Sequence, residues 1–341
     1  MKAMVLEHPG PAASRPVEAH DRPPAQPAAG EVLIDVTACA VCRTDLQIVE
    51  GDLPARRLPI VPGHQVVGRV AGHGAGVDPA QRPIGARVGV AWIASTCGRC
   101  RFCRSGRENL CPEAMFTGWD RDGGYSEQMT ARADFTYLLP EGLSDERAAP
   151  LLCGGTIGYR SLKIAGVDLA AASGRRVGLY GFGASATCVI QLAVHAGCAV
   201  YVATRSEAEQ QRALALGATW AGGYDDRPPE PLEAAITFAP SGDVVVSALQ
   251  AVDRGGIVAI NAIHLDRVPE FDYDDLWLER SLRSVANVTR DDVVEFLELA
   301  AQVPVVTQIE TFALEDANEA LSRLQRGAIS GAAVLEVAGT S

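Results

Sequence analysis

The sequence predicts an α/β protein, a doubly wound parallel sheet set within a β-rich domain. Three observations carry this. Up to about Asp145 the chain is a succession of short apolar runs broken by glycine and proline. From Arg175, strand-like runs alternate with helical ones, the pattern of parallel β–α–β units. Beyond Asn287 two amphipathic helices and a closing strand follow, so the C-terminus rejoins the first domain. The domains are expected at 1–148 with 288–341, and at 149–287.

In the first segment EVLIDV (31–36), VVGRVAG (66–72) and ARVGVAW (86–92) read as strands between turns. In the second, RRVGLYGFG is a strand running into glycines and ASATCVIQLAVHAG has helical spacing. AVYVATR is a second strand, and SEAEQQRALALG a second helix closed by Gly217. AAITFAP (234–240), GIVAI (256–260) and SLRSVAN (281–287) supply further strands. DDVVEFLELAAQ (291–302) and ALEDANEALSRLQRG (313–327) read as helices, and AAVLEV (332–337) as the last strand.

Forty-two acids against 30 bases give a net charge of −12, which disfavours nucleic acid and anionic membranes as partners. The N-terminus lacks a signal-type apolar run, and no window reaches the roughly 18 apolar residues of a membrane span. A cytoplasmic location is expected. There, nine cysteines read as metal ligands or reactive thiols rather than disulfides.

The segment CGRCRFCRSGRENLC sets Cys97, Cys100, Cys103 and Cys111 at C-x2-C-x2-C-x7-C. Four thiolates on one short lobe can close a tetrahedron around a structural Zn²⁺, and an iron–sulfur cluster is the competing reading. Cys42 in CRTD, His64 in VPGHQVVG and Cys153 in LLCGGTIGY remain as further ligands, a Cys₂His set. Their spacing does not itself join them.

GFGASA (Gly181, Phe182, Gly183, Ala184, Ser185, Ala186) matches G-x-G-x-x-A between a strand and a helix. In that context it is a dinucleotide-binding turn: Gly181 bends the chain, Gly183 admits the pyrophosphate, and the helix N-terminus favours its charge. The acid expected about 20 residues on, at the end of the next strand, is missing. Thr204, Arg205 and Ser206 stand there instead. An Arg with two hydroxyls suits a 2′-phosphate, so NADP(H) is favoured and NAD(H) stays open.

With CRTD, GHQVVG, the four-cysteine lobe, DGGYSEQ (122–128), LLCGGTIGY, GFGASA and DANEALSRL…GAAVLEV, the chain resembles the zinc-dependent alcohol dehydrogenases of the medium-chain dehydrogenase/reductase superfamily. The likeness runs nearly end to end, and GFGASA with ERSLRSVAN is similar to a bacterial subgroup. It implies a GroES-like catalytic domain and a Rossmann coenzyme domain. It also implies a catalytic zinc on Cys42, His64 and Cys153, Asp45 orienting His64, and Thr44 passing a proton. Trp92 would wall the substrate pocket, with Met115 and Phe116 along the same cleft. Arg43 and Ile263 join the expected coenzyme contacts, and a homodimer or homotetramer acting on a small alcohol, aldehyde or imine is implied.

Three positions depart from the family's pattern. Gln47 stands where many relatives end the proton relay in His, Gln65 replaces the Glu of GHE, and Ala332 stands where relatives read GRAVL. These leave an ordinary alcohol dehydrogenase as the first expectation. The alternatives are an iminium or specialised carbonyl reductase, whose substrate needs no relay, and a catalytically inactive NADP-binding regulator.

Overall fold

The computed structural model describes residues 1–263, 265, 267–303 and 305–337. They form two compact units, one comprising Met1–Cys153, Asn287–Ala301 and the chain from Val306, the other centred on Gly154–Ala286.

The first unit is built on a seven-stranded sheet ordered Ile309–Ala313, Ala332–Glu336, Glu31–Val41, Gln65–His73, Arg87–Val90 and Thr136–Leu138, with Gln128–Arg132 also paired to Glu31–Val41. Only the Ile309–Ala313 pairing is parallel. Alternating small and β-branched residues make the inner faces: Val32, Ile34, Val36, Val66, Val70, Val88 and Val90 are all buried in one core with Leu46, Ile48 and Leu321. A small N-terminal ribbon, Lys2–Leu6 with Val17–Asp21, packs on the same core. The register that matters for function is Ala40 opposite Gln65. It brings the end of one central strand beside the start of its neighbour, and so Cys42 beside His64.

The second unit is a six-stranded, all-parallel sheet ordered Trp220–Gly222, Ala199–Ala203, Arg176–Tyr180, Leu232–Thr237, Val252–Ile260 and Ser281–Ser284. That is the 3-2-1-4-5-6 order of a Rossmann sheet. Its strands are near-continuous apolar runs because both faces are covered, and Val177, Leu179, Val200, Val202, Ala234 and Ile236 are fully buried. The alternation read from the sequence therefore gives a parallel doubly wound sheet. The first and fourth strands, Arg176–Tyr180 and Leu232–Thr237, are paired neighbours, and the strand order reverses between them; this is the topological switch point, where such sheets bind ligands.

Candidate metal and coenzyme site

Helix Arg43–Glu50 starts at Cys42, whose extended backbone makes it the N-cap. Asp45, three residues on, reaches back so that its Oδ2 accepts the Cys42 N–H at 2.8 Å. Its other oxygen, Oδ1, lies 2.8 Å from His64 Nδ1. One carboxylate therefore fixes both the residue that starts the helix and the imidazole opposite. Asp45 and His64 are almost completely buried, with 0% and 1% exposure.

His64 is held from the other side by DGGY. The Gly123 and Tyr125 N–H groups donate to Val61 O and Pro62 O, and Gly124 N–H donates to Gly63 O at 2.9 Å, while Asp122 Oδ1 accepts the Val61 N–H. Gly63 has φ +96°, and a Cβ there would stand 2.4 Å from the Tyr125 ring and 2.8 Å from Cys39 Sγ. Only glycine fits this turn. The clasp is a feature that sequence reading did not supply.

Cys42, His64 and Cys153 converge with their ligand atoms all within 4.8 Å of one another. With Nδ1 engaged by Asp45, Nε2 is the nitrogen left to bind an ion. Burial lowers the His64 pKa, but the Asp45 charge and hydrogen bond, with those of Cys42, carry it up to about 10. Cys42 is drawn well below the thiol range by its hydrogen bond with Cys153, whose own thiol is pushed up by Cys42 and by burial. The side chains thus share protons where a divalent cation would displace them. Two sulfurs and an imidazole, already oriented by a buried carboxylate, fit Zn²⁺ with one position open.

In the lobe, Cys97, Cys100, Cys103 and Cys111 lie with their sulfurs within 4.8 Å of one another. The Cys97–Cys111 and Cys100–Cys103 pairs are 3.5 Å apart and Cys97–Cys103 3.9 Å. Disulfide sulfurs would be about 2.05 Å apart. A tetrahedron with Zn–S near 2.3 Å has edges of about 3.8 Å, so the set matches one enclosed zinc ion. Backbone N–H groups of Cys97, Cys100 and Cys103 point at the Cys111, Cys97 and Cys100 sulfurs, and the bond from Cys103 brings the Cys100 thiol down to about 7.

Trp92 stands edge-on to His64, ring centroids 5.0 Å apart, and stacks on Phe116 at 4.8 Å and Trp119 at 5.9 Å. Arg56 covers Trp119 at 3.8 Å while pairing with Asp120. Trp119 and Arg56 were missed in the sequence; Trp119 follows Phe116 by three residues, and that closeness was the one available signal. Met115 neighbours Phe116 on a short strand with its side chain exposed. Thr44 Oγ1 is 3.9 Å from Cys42 Sγ. Gln47 Oε1 is buried without a hydrogen-bond partner among the described residues. Gln65 is buried and donates weakly to Ala40 O at 3.4 Å, leaving no second carboxylate beside His64 at this position.

In the second unit Gly181 has φ +92°, and a Cβ would meet Ala239 N at 2.8 Å. A Cβ on Gly183, the N-cap of helix Ala184–His195, would meet nothing within 4 Å. The turn is therefore tight against the protein on one side and open at the helix N-terminus, where a pyrophosphate is favoured. Ser185 lies in the first turn of that helix, and Ala186 is fully buried beneath it. Thr204 and Arg205 follow strand Ala199–Ala203, Thr204 buried and Arg205 exposed. Ile263 is exposed, as is Arg43 in the first unit.

Residues 28–141 match the alcohol dehydrogenase GroES-like domain. Over 339 residues, 98% of this chain and 97% of its relative, the sequence is 47% identical to a probable alcohol dehydrogenase AdhA of Mycobacterium tuberculosis. The chain belongs to the zinc-dependent medium-chain alcohol dehydrogenases. An alcohol dehydrogenase of Geobacillus stearothermophilus is 35% identical over 90% of this chain and 92% of its own length. The fold also matches a cinnamyl alcohol dehydrogenase of Sorghum bicolor, TM-score 0.87 at 24% identity, covering 100% of this chain and 98% of that one. As an alcohol dehydrogenase the protein acts on small-molecule alcohols and aldehydes with a nicotinamide coenzyme. No helix among the described residues is long and apolar enough to cross a membrane.

Proposed function

We propose that hydride transfer between an alcohol/aldehyde pair and NADP(H) or NAD(H) is carried by the Cys42–His64–Cys153 centre, with Cys97, Cys100, Cys103 and Cys111 holding a second, structural zinc. In this reading the first unit is the catalytic domain and the second binds the coenzyme. The observation that carries the proposal is the convergence of Cys42, His64 and Cys153, far apart in the chain, with the imidazole oriented by Asp45. A zinc ion on those three ligands supplies a Lewis acid that lowers the pKa of the substrate hydroxyl.

The chain's own residues do the rest. Asp45 fixes the His64 tautomer. Thr44 Oγ1 can accept the hydroxyl proton while giving up its own. Gln47, an amide, cannot take that proton, so it leaves to solvent without a local base. Trp92, with Phe116 and Trp119, makes an apolar wall beside His64 and excludes water there. Arg43, Ile263, the Gly181–Ala186 turn, Thr204 and Arg205 belong to the coenzyme side of the proposal.

Homo-oligomerisation, as a dimer or tetramer, belongs to the same proposal. It is supported by the open sheet edge at Ser281–Ser284 and by Tyr273 and Trp277 beside it in the chain, 66% and 54% exposed.

The test is metal analysis with a steady-state screen of aldehydes, ketones, alcohols and cyclic imines, using both nicotinamide coenzymes. Two zinc ions per chain and coenzyme-dependent carbonyl reduction are expected. Two zinc ions with coenzyme binding but no turnover on any of the panel would make the protein a regulator instead. Turnover confined to imines would favour the reading in which the substrate needs no relay, for which the unpaired Gln47 Oε1 speaks.

Gln47→His should raise kcat/KM for alcohol oxidation near pH 7 by roughly tenfold, below the about 10²–10⁴-fold that a fully positioned base contributes, because solvent already takes the proton in the wild type. The same variant should add a titration between pH 6 and 8 to the profile, because an imidazole ordinarily titrates near 6.5. An unchanged rate and profile would show that proton release does not limit the reaction.

A further inference from the structure

We infer that Glu209 is a coenzyme-discriminating residue, its carboxylate held by Thr204 at the strand end where the adenosine ribose or its 2′-phosphate is bound. This rests on the coenzyme-binding reading above and deepens it. In a Rossmann sheet the ribose lies off the carboxyl end of the second strand of the first β–α–β unit, here Ala199–Ala203. The sequence carries no acid at that end, only Thr204, Arg205 and Ser206. The fold returns one from the following helix.

Helix Glu207–Ala215 is capped by Ser206, whose Oγ accepts the Glu209 N–H at 3.3 Å. That cap sets Glu209 in the first turn, facing back toward the strand. Its Oε2 accepts the Thr204 hydroxyl proton at 2.5 Å. Gln210 Nε2 clamps the same residue from the next position, donating to Thr204 O at 2.9 Å. Thr204 is itself buried, and its N–H is bound to Gly222 O, so the tether has a rigid base. Tyr224 is close enough to feel this group: burial raises its phenol pKa, Arg205 lowers it and Glu209 raises it.

The consequence follows from donor counting. A 2′-phosphate needs donors and positive charge. The single Thr204 proton is already given to Glu209, which leaves the Ser206 hydroxyl, the Arg205 guanidinium and the Tyr224 phenol beside Thr204 as donors. Glu209 adds a negative charge that opposes Arg205. A ribose with a free 2′-hydroxyl meets the reverse situation, since a carboxylate is the acceptor such a hydroxyl seeks. The Arg205 signal for NADP(H) is therefore offset within the same cluster, and the protein should accept both coenzymes with affinities within about tenfold of one another.

The experiment is direct titration of the zinc-loaded full chain with NADH and with NADPH, following coenzyme fluorescence, for wild type and Glu209→Gln. The glutamine keeps the length and can still accept from Thr204 but carries no charge. NADPH affinity is expected to tighten about tenfold, with the NADH constant within about threefold of wild type, from the loss of one charge near a phosphate. An unchanged NADPH-to-NADH ratio, or weaker NADPH binding, would overturn the inference; the second outcome would mean that Glu209 serves only to orient Thr204. If Glu209→Gln does not fold, Thr204→Val removes the tether and should shift the ratio in the same direction, and an unmoved ratio there overturns the inference as well. Wild-type protein that binds neither coenzyme would remove the underlying reading and this inference with it, whereas binding of both with an insensitive ratio would remove this inference alone.

Discussion

Asp45→Asn should weaken the Cys42–His64–Cys153 zinc and lower kcat/KM by about 10–100-fold each, while the lobe zinc stays bound. The two oxygens of Asp45 face two N–H donors, the Cys42 amide and His64 Nδ1, each at 2.8 Å. An asparagine can match only one of them. Whichever way the amide turns, its NH₂ points at a donor, in a place with no exposure to water. A buried donor left unpaired costs about 1–3 kcal/mol. The variant also removes the negative charge that helps hold a proton or a cation at His64. Either the helix start at Cys42 or the imidazole loses its anchor, and both carry a ligand. Chelator competition with metal analysis reads the first effect and steady-state kinetics the second. A variant that retains both zinc ions at wild-type affinity with unchanged kcat/KM would show that Asp45 does not position the site.

The same residues show what was legible beforehand and why. The four lobe cysteines lie within fifteen residues, so a local pattern was enough to read them as one metal set. The parallel sheet was readable because strands covered on both faces are apolar throughout, as at Val177–Tyr180 and Ala199–Ala203. Cys42, His64 and Cys153 were different. What joins the first two is the Ala40–Gln65 register of neighbouring antiparallel strands, a long-range fact that composition and spacing do not encode, so resemblance had to supply it. The DGGY clasp was invisible for a related reason: apart from the Asp122 carboxylate, its bonds are backbone to backbone, and backbone carries no letter in the sequence. Glu209 escaped because the rule for the ribose acid looks along the strand, whereas here the carboxylate returns from the first turn of the next helix. Short edge strands such as Trp220–Gly222 and Thr136–Leu138 lack the length for a period-two pattern to emerge.

Cys111→Ser should reduce zinc content from two to one per chain and loosen the lobe, with consequences that reach the other metal. Cys111 is the distant member of its set and is buried at 7% exposure, between the lobe's sulfurs and a small apolar cluster of Ile93, Ala114, Phe116 and Phe135. That cluster is too small to hold the segment by apolar burial alone, which is the situation in which a structural zinc contributes folding energy directly. Other fastenings are the Glu108–Arg290 pair, in which Arg290 N and Nε both donate to Glu108 Oε1 at 2.9 Å, the Asn287 Nδ2 bond to Asn109 O at 3.2 Å and the exposed Arg99–Glu113 pair. Partly exposed polar contacts of this kind do not replace a tetrahedral metal site. Once the lobe loosens, Phe116 is released from the stack that backs Trp92, and Trp92 from its edge contact with His64. Limited proteolysis should therefore cut within 97–111, the melting temperature should fall, and KM for aromatic aldehydes should rise more than kcat falls. The wild-type lobe has a matching pH dependence. Burial holds the Cys111 thiol up to about 12, so it arrives protonated at neutral pH and must release that proton when zinc binds. Lobe affinity should then fall at least about tenfold for each unit of acidification. Two zinc ions retained in Cys111→Ser, or a melting temperature equal to wild type, would show that the lobe is held by its apolar cluster and not by metal.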